Sequence, residues 1–350
     1  MKHHIISIAL LLLGSISLPI QAQDNLFSEG KNLFEQQAYS AALSPLANYL
    51  KSVEKSADTE AQRMQAHYML ACIAYELQQP NDIQTIEKVI NNYPESPYNN
   101  RLKGLMASAY FFDNDYETAL NWFNQCDLDN MSSAERDDFI YRMATCYLEL
   151  DELTEAASWF MALSNTSDRY EADSKYYLAY IRYTQERCDE ALQSFLSLQT
   201  HPKYEALVPY YIAEIYLQKN QLAEAEEIAD SYLKRYNHQE YVAQMHRIKG
   251  AVSYLRKQSQ TAADNFKQYL QLNEEAPRRD ALYMLGLSYY NIKQYNEAIE
   301  QLNKVASNND ALSQNAYLHM GLAALQLGDK TGARMAFEQA AISNADASIK

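Results

Sequence analysis

The sequence predicts an all-α chain built from repeated antiparallel helical hairpins, and three observations carry that expectation. The 350 residues are 47% hydrophobic yet include only 8 Gly and 8 Pro, so turn signals are scarce. The stretch from Asp280 to Val305 reads as one complete hairpin: Leu282, Gly286 and Tyr289 recur at helical spacing, a polar break follows at Asn291 to Gln294, and Ala298, Leu302 and Val305 resume the spacing. A small residue with a partner position twelve further on then recurs along the whole chain, as Gly30 and Ala42, Ala71 and Ile83, Ala107 and Ala119, Ala144 and Ala156, Ala179 and Ala191, Ala213 and Ala225, Gly250 and Ala262, Gly286 and Ala298, and Gly321 and Ala333. Successive second members lie 34 to 41 residues apart, the period of a stacked helical repeat.

Taken in order, the chain opens on an address. Lys2 supplies a short basic start, Ile5 to Leu13 is an apolar run too short for a stable bilayer span, and Ile20-Gln21-Ala22 places a small residue before Gln23. Residues 1–22 are therefore expected to be a secretory signal peptide, the alternative being an N-terminal membrane anchor. No Cys precedes Cys72, which disfavours a lipid-anchored start. The expected leader contains Lys2 and no acid, so its removal takes the net charge of −15 one step further negative. An acidic surface repels phosphate, which argues against nucleic acid and against anionic lipid as partners.

The mature region, 23–350, divides into nine expected hairpins near 24–57, 64–95, 100–130, 137–167, 172–202, 206–237, 243–274, 279–308 and 314–345. Within each, two antiparallel helices approach to about 8–10 Å where the side chains at the crossing are small, which sets Gly286 opposite Ala298. Four residues after the second small residue an apolar residue usually recurs, as at Leu46, Phe123, Phe160, Phe195, Phe266, Leu302 and Phe337. Glu87 and Ala229 depart from this, which leaves the second unit least regular. Pro45 predicts a kink or a late helix start, while Pro94, Pro202 and Pro277 close units.

The order Leu285-Gly286-x-x-Tyr289, then Ala298-x-x-x-Leu302, resembles the tetratricopeptide repeat. Single hairpins cannot bury a core alone, so they stack into an α-solenoid. The resemblance implies in addition a right-handed superhelix whose first helices line a concave groove. The leader, with Tyr- and Asn-rich repeats behind it, is similar to exported, periplasmic tetratricopeptide proteins of Bacteroides-type bacteria. Some members of the family clamp a partner's C-terminal carboxylate with Lys and Asn beside the small residue. Here that position reads Lys31, Cys72, Ser108, Thr145, Tyr180, Glu214, Ala251, Leu287 and Leu322, so this clamp is not implied.

Catalysis finds no motif: no glycine-rich phosphate loop, no nucleophile elbow and no zinc-protease helix occur. The chain reads as a binding protein, not an enzyme, with no cofactor and no metal. His67, His201, His238, His246 and His319 are scattered at spacings that suit no metal site. Cys72, Cys126, Cys146 and Cys188 sit at helical positions and read as buried free thiols, with a Cys126–Cys146 bridge as the alternative.

The 29 tyrosines are the functional signal. Three residues before the small residue stand Phe27, Tyr68, Gly104, Tyr141, Tyr176, Tyr210, Arg247, Tyr283 and Leu318. Four residues after it stand Phe34, Tyr75, Phe111, Leu148, Tyr183, Leu217, Tyr254, Tyr290 and Leu325. The two positions are seven residues apart and share one helix face. With Tyr180, the candidate binding residues are Tyr68, Tyr75, Phe111, Tyr141, Tyr176, Tyr183, Tyr210, Arg247, Tyr254, Tyr283 and Tyr290. Either these rings fill gaps between neighbouring first helices, or they offer rigid amphipathic contacts to an extended peptide or helix of a protein partner. Carbohydrate or nutrient capture on the same aromatic face is the alternative function. At the far end, Met335 and Ile342 occupy positions that are polar in nearly every earlier unit, and Asp346 to Lys350 looks like the opening of another helix. These features predict either more repeats or association through that surface.

Overall fold

Seven residues after the small residue of every first helix, the backbone turns left-handed. Gln37, Gln78, Asn114, Asp151, Glu186, Asn220, Lys257, Lys293 and Gly328 all have positive φ, between 49° and 79°. Each closes its helix with the same pair of bonds: in the first hairpin the Gln37 amide donates to the Phe34 carbonyl at 2.9 Å and the Ala38 amide to the Leu33 carbonyl at 2.8 Å. This termination satisfies two otherwise unpaired carbonyls and reverses the chain within a few residues. The cost of a left-handed non-glycine residue, of order 1–2 kcal/mol, is offset by those bonds.

The computed structural model describes residues 20–236, 240–308, 310–342 and 345. Over these the chain is all-α, with eighteen α-helices, two short 3₁₀ turns and no strand. The helices pair as α1 (Ile20–Glu35) with α2 (Tyr39–Ser52), α3 (Glu60–Glu76) with α4 (Asp82–Asn92), α5 (Asn99–Phe112) with α6 (Tyr116–Phe123), and α7 (Ser133–Glu149) with α8 (Leu153–Thr166). They continue as α9 (Glu171–Thr184) with α10 (Cys188–Leu198), α11 (Val208–Gln218) with α12 (Leu222–Arg235), α13 (Val242–Leu255) with α14 (Ser259–Leu272), α15 (Arg279–Asn291) with α16 (Tyr295–Val305), and α17 (Ala311–Gln326) with α18 (Lys330–Ile342). The expected α-solenoid of nine helical hairpins is the observed fold class. Two compact units are formed, one ending at Tyr170 and one beginning at Glu171. The expected leader lies outside the described residues except for 20–22, which open α1, and the stretch from Asp346 to Lys350 also lies outside them.

Inside each hairpin the small residues sit where the sequence places them. Ala42, Ala71, Ala107, Ala119, Ala144, Ala156, Ala179, Ala191, Ala213, Ala225, Ala262 and Ala298 are all fully buried. The contact itself differs from the Gly-against-Ala expectation. A Cβ added to Gly286 would lie 2.7 Å from the Leu302 side chain and 3.4 Å from the Ala298 carbonyl, and Gly30, Gly250 and Gly321 face Leu46, Phe266 and Phe337 in the same way. The small residue is therefore a socket for the large residue four places after the second small one. Phe123, Phe160, Phe195 and Phe266 fill that socket with almost no exposure.

One local expectation is corrected and one is narrowed. The second hairpin does not cross at Ile83, because Pro80-Asn81 lengthens its turn, Asn81 adds a second left-handed residue, and α4 starts only at Asp82. Ile86 and Val89 are buried there instead. In the first hairpin α2 runs from Tyr39 through Pro45 without a late start. Pro45 is buried there together with Ala42, Leu46 and Tyr49. The four cysteines are free, with Cys72 and Cys146 buried as expected but Cys126 and Cys188 only half-buried. Burial pushes the Cys72 thiol up to about 11 and those of Cys126 and Cys146 to about 12.

Candidate functional site: tyrosine faces of the first helices

The residue three before the small one is placed by α-helical periodicity on the side that meets the next hairpin, and its ring finds a second ring there. Tyr68 stacks on Tyr98 at 4.3 Å, Tyr141 on Tyr170 at 4.5 Å, Tyr176 on Tyr204 at 4.8 Å and Tyr210 on Tyr241 at 4.8 Å, each within 20° of parallel. All four partners stand nine residues before the small residue of the following hairpin. Such pairs contribute about 0.5–1.5 kcal/mol beyond burial. In two cases the partner is locked by the same chemistry. The Tyr170 hydroxyl donates to Asp138 at 2.7 Å while Arg169 pairs with that carboxylate; the Tyr204 hydroxyl donates to Asp173 at 2.6 Å while Lys203 pairs with it. These rings tie consecutive hairpins together.

The residue two before the small one inserts between the candidate rings of the hairpin before it. Tyr176, Tyr180 and Tyr183 on α9 all meet the ring of Tyr211 on α11, at 6.2, 6.1 and 5.6 Å. Tyr211 in turn stacks on Phe195 at 4.9 Å. Tyr283 and Tyr290 on α15 meet His319 on α17 at 6.1 and 6.4 Å. In the first unit Arg142 on α7 takes the corresponding place, its guanidinium donating to Ser108 Oγ and lying 5.1 Å over the Phe112 ring. Burial raises the phenols of Tyr176 and Tyr183, and that of Tyr283 to about 12, and the Tyr183 hydroxyl accepts from Gln218 Nε2 at 3.3 Å.

Of the twelve candidate residues, Tyr68, Tyr75, Phe111 and Tyr141 belong to the first unit and the other eight to the second. Tyr75, Phe111, Tyr141, Tyr176, Tyr180, Tyr183, Tyr210, Tyr254, Tyr283 and Tyr290 are half-buried, with one side packed and another accessible. Tyr68 and Arg247 differ from the expectation of an accessible groove residue, being 7% and 1% exposed. Tyr68 is covered by its stack on Tyr98. Arg247 is paired with the buried carboxylate of Glu214 on α11 and donates through Nε to Gln244 at 2.9 Å. A buried guanidinium must be paired in this way, since desolvation would otherwise expel it. Gly104 takes the place of an aromatic in the third hairpin because Phe139 occupies the space its side chain would need.

Two cavities adjoin the stacked pairs. One of about 590 Å³ lies beside Tyr210, Tyr211 and Tyr241, with Leu272 and Gln244 in its lining. The other, about 630 Å³, lies beside Tyr68 and Tyr98 and includes Arg101, Met131 and Phe139. Met335 and Ile342 are 59% and 71% exposed. Their positions in other hairpins, among them Ser44, Asn121, Ser158 and Glu300, are also exposed, so this apolar pair lies on the outward side of α18 and not on the side that stacks. The stacking side is marked instead by Phe337, only half-buried where its counterparts are covered.

Residues 283–349 match the tetratricopeptide repeat family. No curated protein matches the sequence. Among solved structures, the fold is similar to the C-terminal part of a tetratricopeptide repeat-containing protein from Cytophaga hutchinsonii, with 15% identity over 69% of this chain and 96% of that one and a TM-score of 0.53. It is also similar to the Cut9–Hcn1 hetero-tetramer of the APC/C, with 17% identity over 94% of this chain and 66% of that one and a TM-score of 0.50.

Proposed function

We propose, on the premise of a tetratricopeptide-repeat fold, that the chain is a non-catalytic scaffold that holds a peptide or helix of a partner protein on the tyrosine-bearing faces of its first helices. The observation that carries this reading is the half-buried state of Tyr180, Tyr183, Tyr254 and Tyr290. Each ring is fixed by neighbours, so little rotamer freedom remains to be lost on binding, while part of its surface stays open. We propose further that it works after export, in the cell envelope of a Bacteroides-type bacterium. The basic, apolar and small-residue order of 1–22 supports the export step.

The test is capture of a partner from envelope extract, followed by affinity measurements with Tyr180→Ala and Tyr290→Ala. Loss of a central aromatic contact weakens binding by about 30-fold, or about 2 kcal/mol, while the melting temperature falls by only a few degrees. Unchanged partner affinity in both variants contradicts the proposal.

A further inference from the structure

The tyrosine faces are not chemically uniform along the chain. Besides burial, Arg142, Glu76 and Asp82 act on the Tyr75 phenol, and besides burial and its bond to Gln218, Arg278 and Arg247 act on that of Tyr183. On α13, α15 and α17 the surroundings change. Burial raises the phenols of Tyr254 and Tyr283, with Tyr254 adding to the second, and among the described residues no charged side chain acts on either. Both rings pack against the core that holds Leu282 and Leu302. The hydroxyls of Tyr254, Tyr283 and Tyr290 make no hydrogen bond among the described residues, and none of the three is enclosed.

One acceptor stands among these donors. His319 on α17 is half-buried and lies edge-to-face with Tyr283 and Tyr290, at 84° and 82°. Its Nδ1 is 2.9 Å from the Asn315 carbonyl oxygen. A carbonyl only accepts, so Nδ1 carries the hydrogen and Nε2 of the neutral ring is left as an acceptor. Nε2 has no partner among the described residues and is not enclosed. Two rings and one hydrogen bond fix the imidazole in advance, which lowers the ordering cost of using it. Arg142 and Tyr211, at the same position in their hairpins, instead spend their polar groups inside the protein, on Ser108 and Tyr176.

We infer that Tyr254, Tyr283, Tyr290 and His319 receive an uncharged, extended stretch of the partner protein, with a backbone N–H donating to His319 Nε2 and backbone carbonyls accepting from the phenols. The inference rests on the scaffold role proposed above and names the partner's chemistry. A charged side chain buried here would lose its hydration and gain no counter-ion, whereas an extended backbone offers N–H and C=O groups without net charge.

The test selects peptides on the full chain from a phage-displayed library of random dodecapeptides and resynthesises the tightest with each backbone amide N-methylated in turn. N-methylation of one amide weakens binding by about tenfold, His319→Phe weakens the unmodified peptide by a similar factor, and the two together cost no more than either. Tyr283→Phe and Tyr290→Phe, which keep the rings, each weaken it by about threefold. Binding changes by less than about twofold between low and high salt. In the unaltered chain the nitrogen resonance of His319 Nε2 moves on adding the peptide while that of Nδ1 stays, a readout that stands if a variant fails to fold. Additive losses for N-methylation and His319→Phe at every amide overturn the inference, as does an unmoved Nε2 resonance or a library that yields no binder sensitive to these four residues. Tighter binding of maltohexaose than of any peptide through the same residues assigns the face to carbohydrate and likewise overturns it. Selected peptides that respond to Tyr180→Ala but not to His319→Phe leave the scaffold reading standing while this inference falls.

Discussion

Through Tyr170 and from Glu171 the chain repeats one hairpin plan, yet the same position carries opposite solutions in the two units. Three residues before the small residue, Tyr141 in the first unit stacks on Tyr170, whereas Arg247 in the second is buried against Glu214. Arg142 on α7 of the first unit donates to the Ser108 hydroxyl, whereas Arg247 on α13 of the second is neutralised by a buried carboxylate. The comparison teaches that the backbone periodicity fixes where a side chain points, while the chemistry at that point is free to serve packing or recognition.

The largest effect that would sharpen this contrast is at the buried pair. Arg247→Ala leaves Glu214 buried without its cation and should cost about 3–5 kcal/mol in denaturant unfolding, whereas Arg142→Ala in the first unit should cost less than about 1 kcal/mol. Replacing Arg247 and Glu214 together by Met and Leu should recover most of the loss. Equal costs for Arg247→Ala and Arg142→Ala would mean that the two units do not differ as described.

A smaller effect tests what the units share. Ala298→Phe should force α15 and α16 apart and cost about 1–3 kcal/mol, against about 0.5 kcal/mol or less for exposed Glu300→Ala. Thermal melts that fail to separate the two would show that the small residue is not the closest point of the hairpin.

The repeat itself was legible because small residues at a helix crossing are demanded by geometry, and nothing larger fits beside Leu302 or Phe266. The turns were harder to place. Their left-handed residues are Gln, Asn, Asp, Glu and Lys as well as Gly, since a pair of backbone bonds stabilises the turn and tolerates almost any polar side chain. In the second hairpin the spacing points to Ile83, but the extra Pro80-Asn81 shifts the register without altering the overall polarity. Tyr98, Tyr170, Tyr204 and Tyr241 form a column nine residues before a small residue, but they stand in the joints ahead of the first helices, where helical periodicity does not connect them. Tyr211, His319 and Arg142 likewise share one position that a reading of each helix in isolation does not connect with its neighbour. Glu214 and Arg247 were each visible, but their pairing depends on two different columns meeting across adjacent hairpins.

The claim that the first helices bear the binding surface is tested most directly by site-specific photocrosslinking in envelope extract. A photoreactive phenylalanine analogue is placed in turn at Tyr75, Tyr180 and Tyr290 on first helices and at Asn121 and Glu300 on the outward sides of second helices. The expected result is a discrete crosslinked partner from the first set and none from the second. Crosslinks confined to Asn121 and Glu300 would contradict the claim.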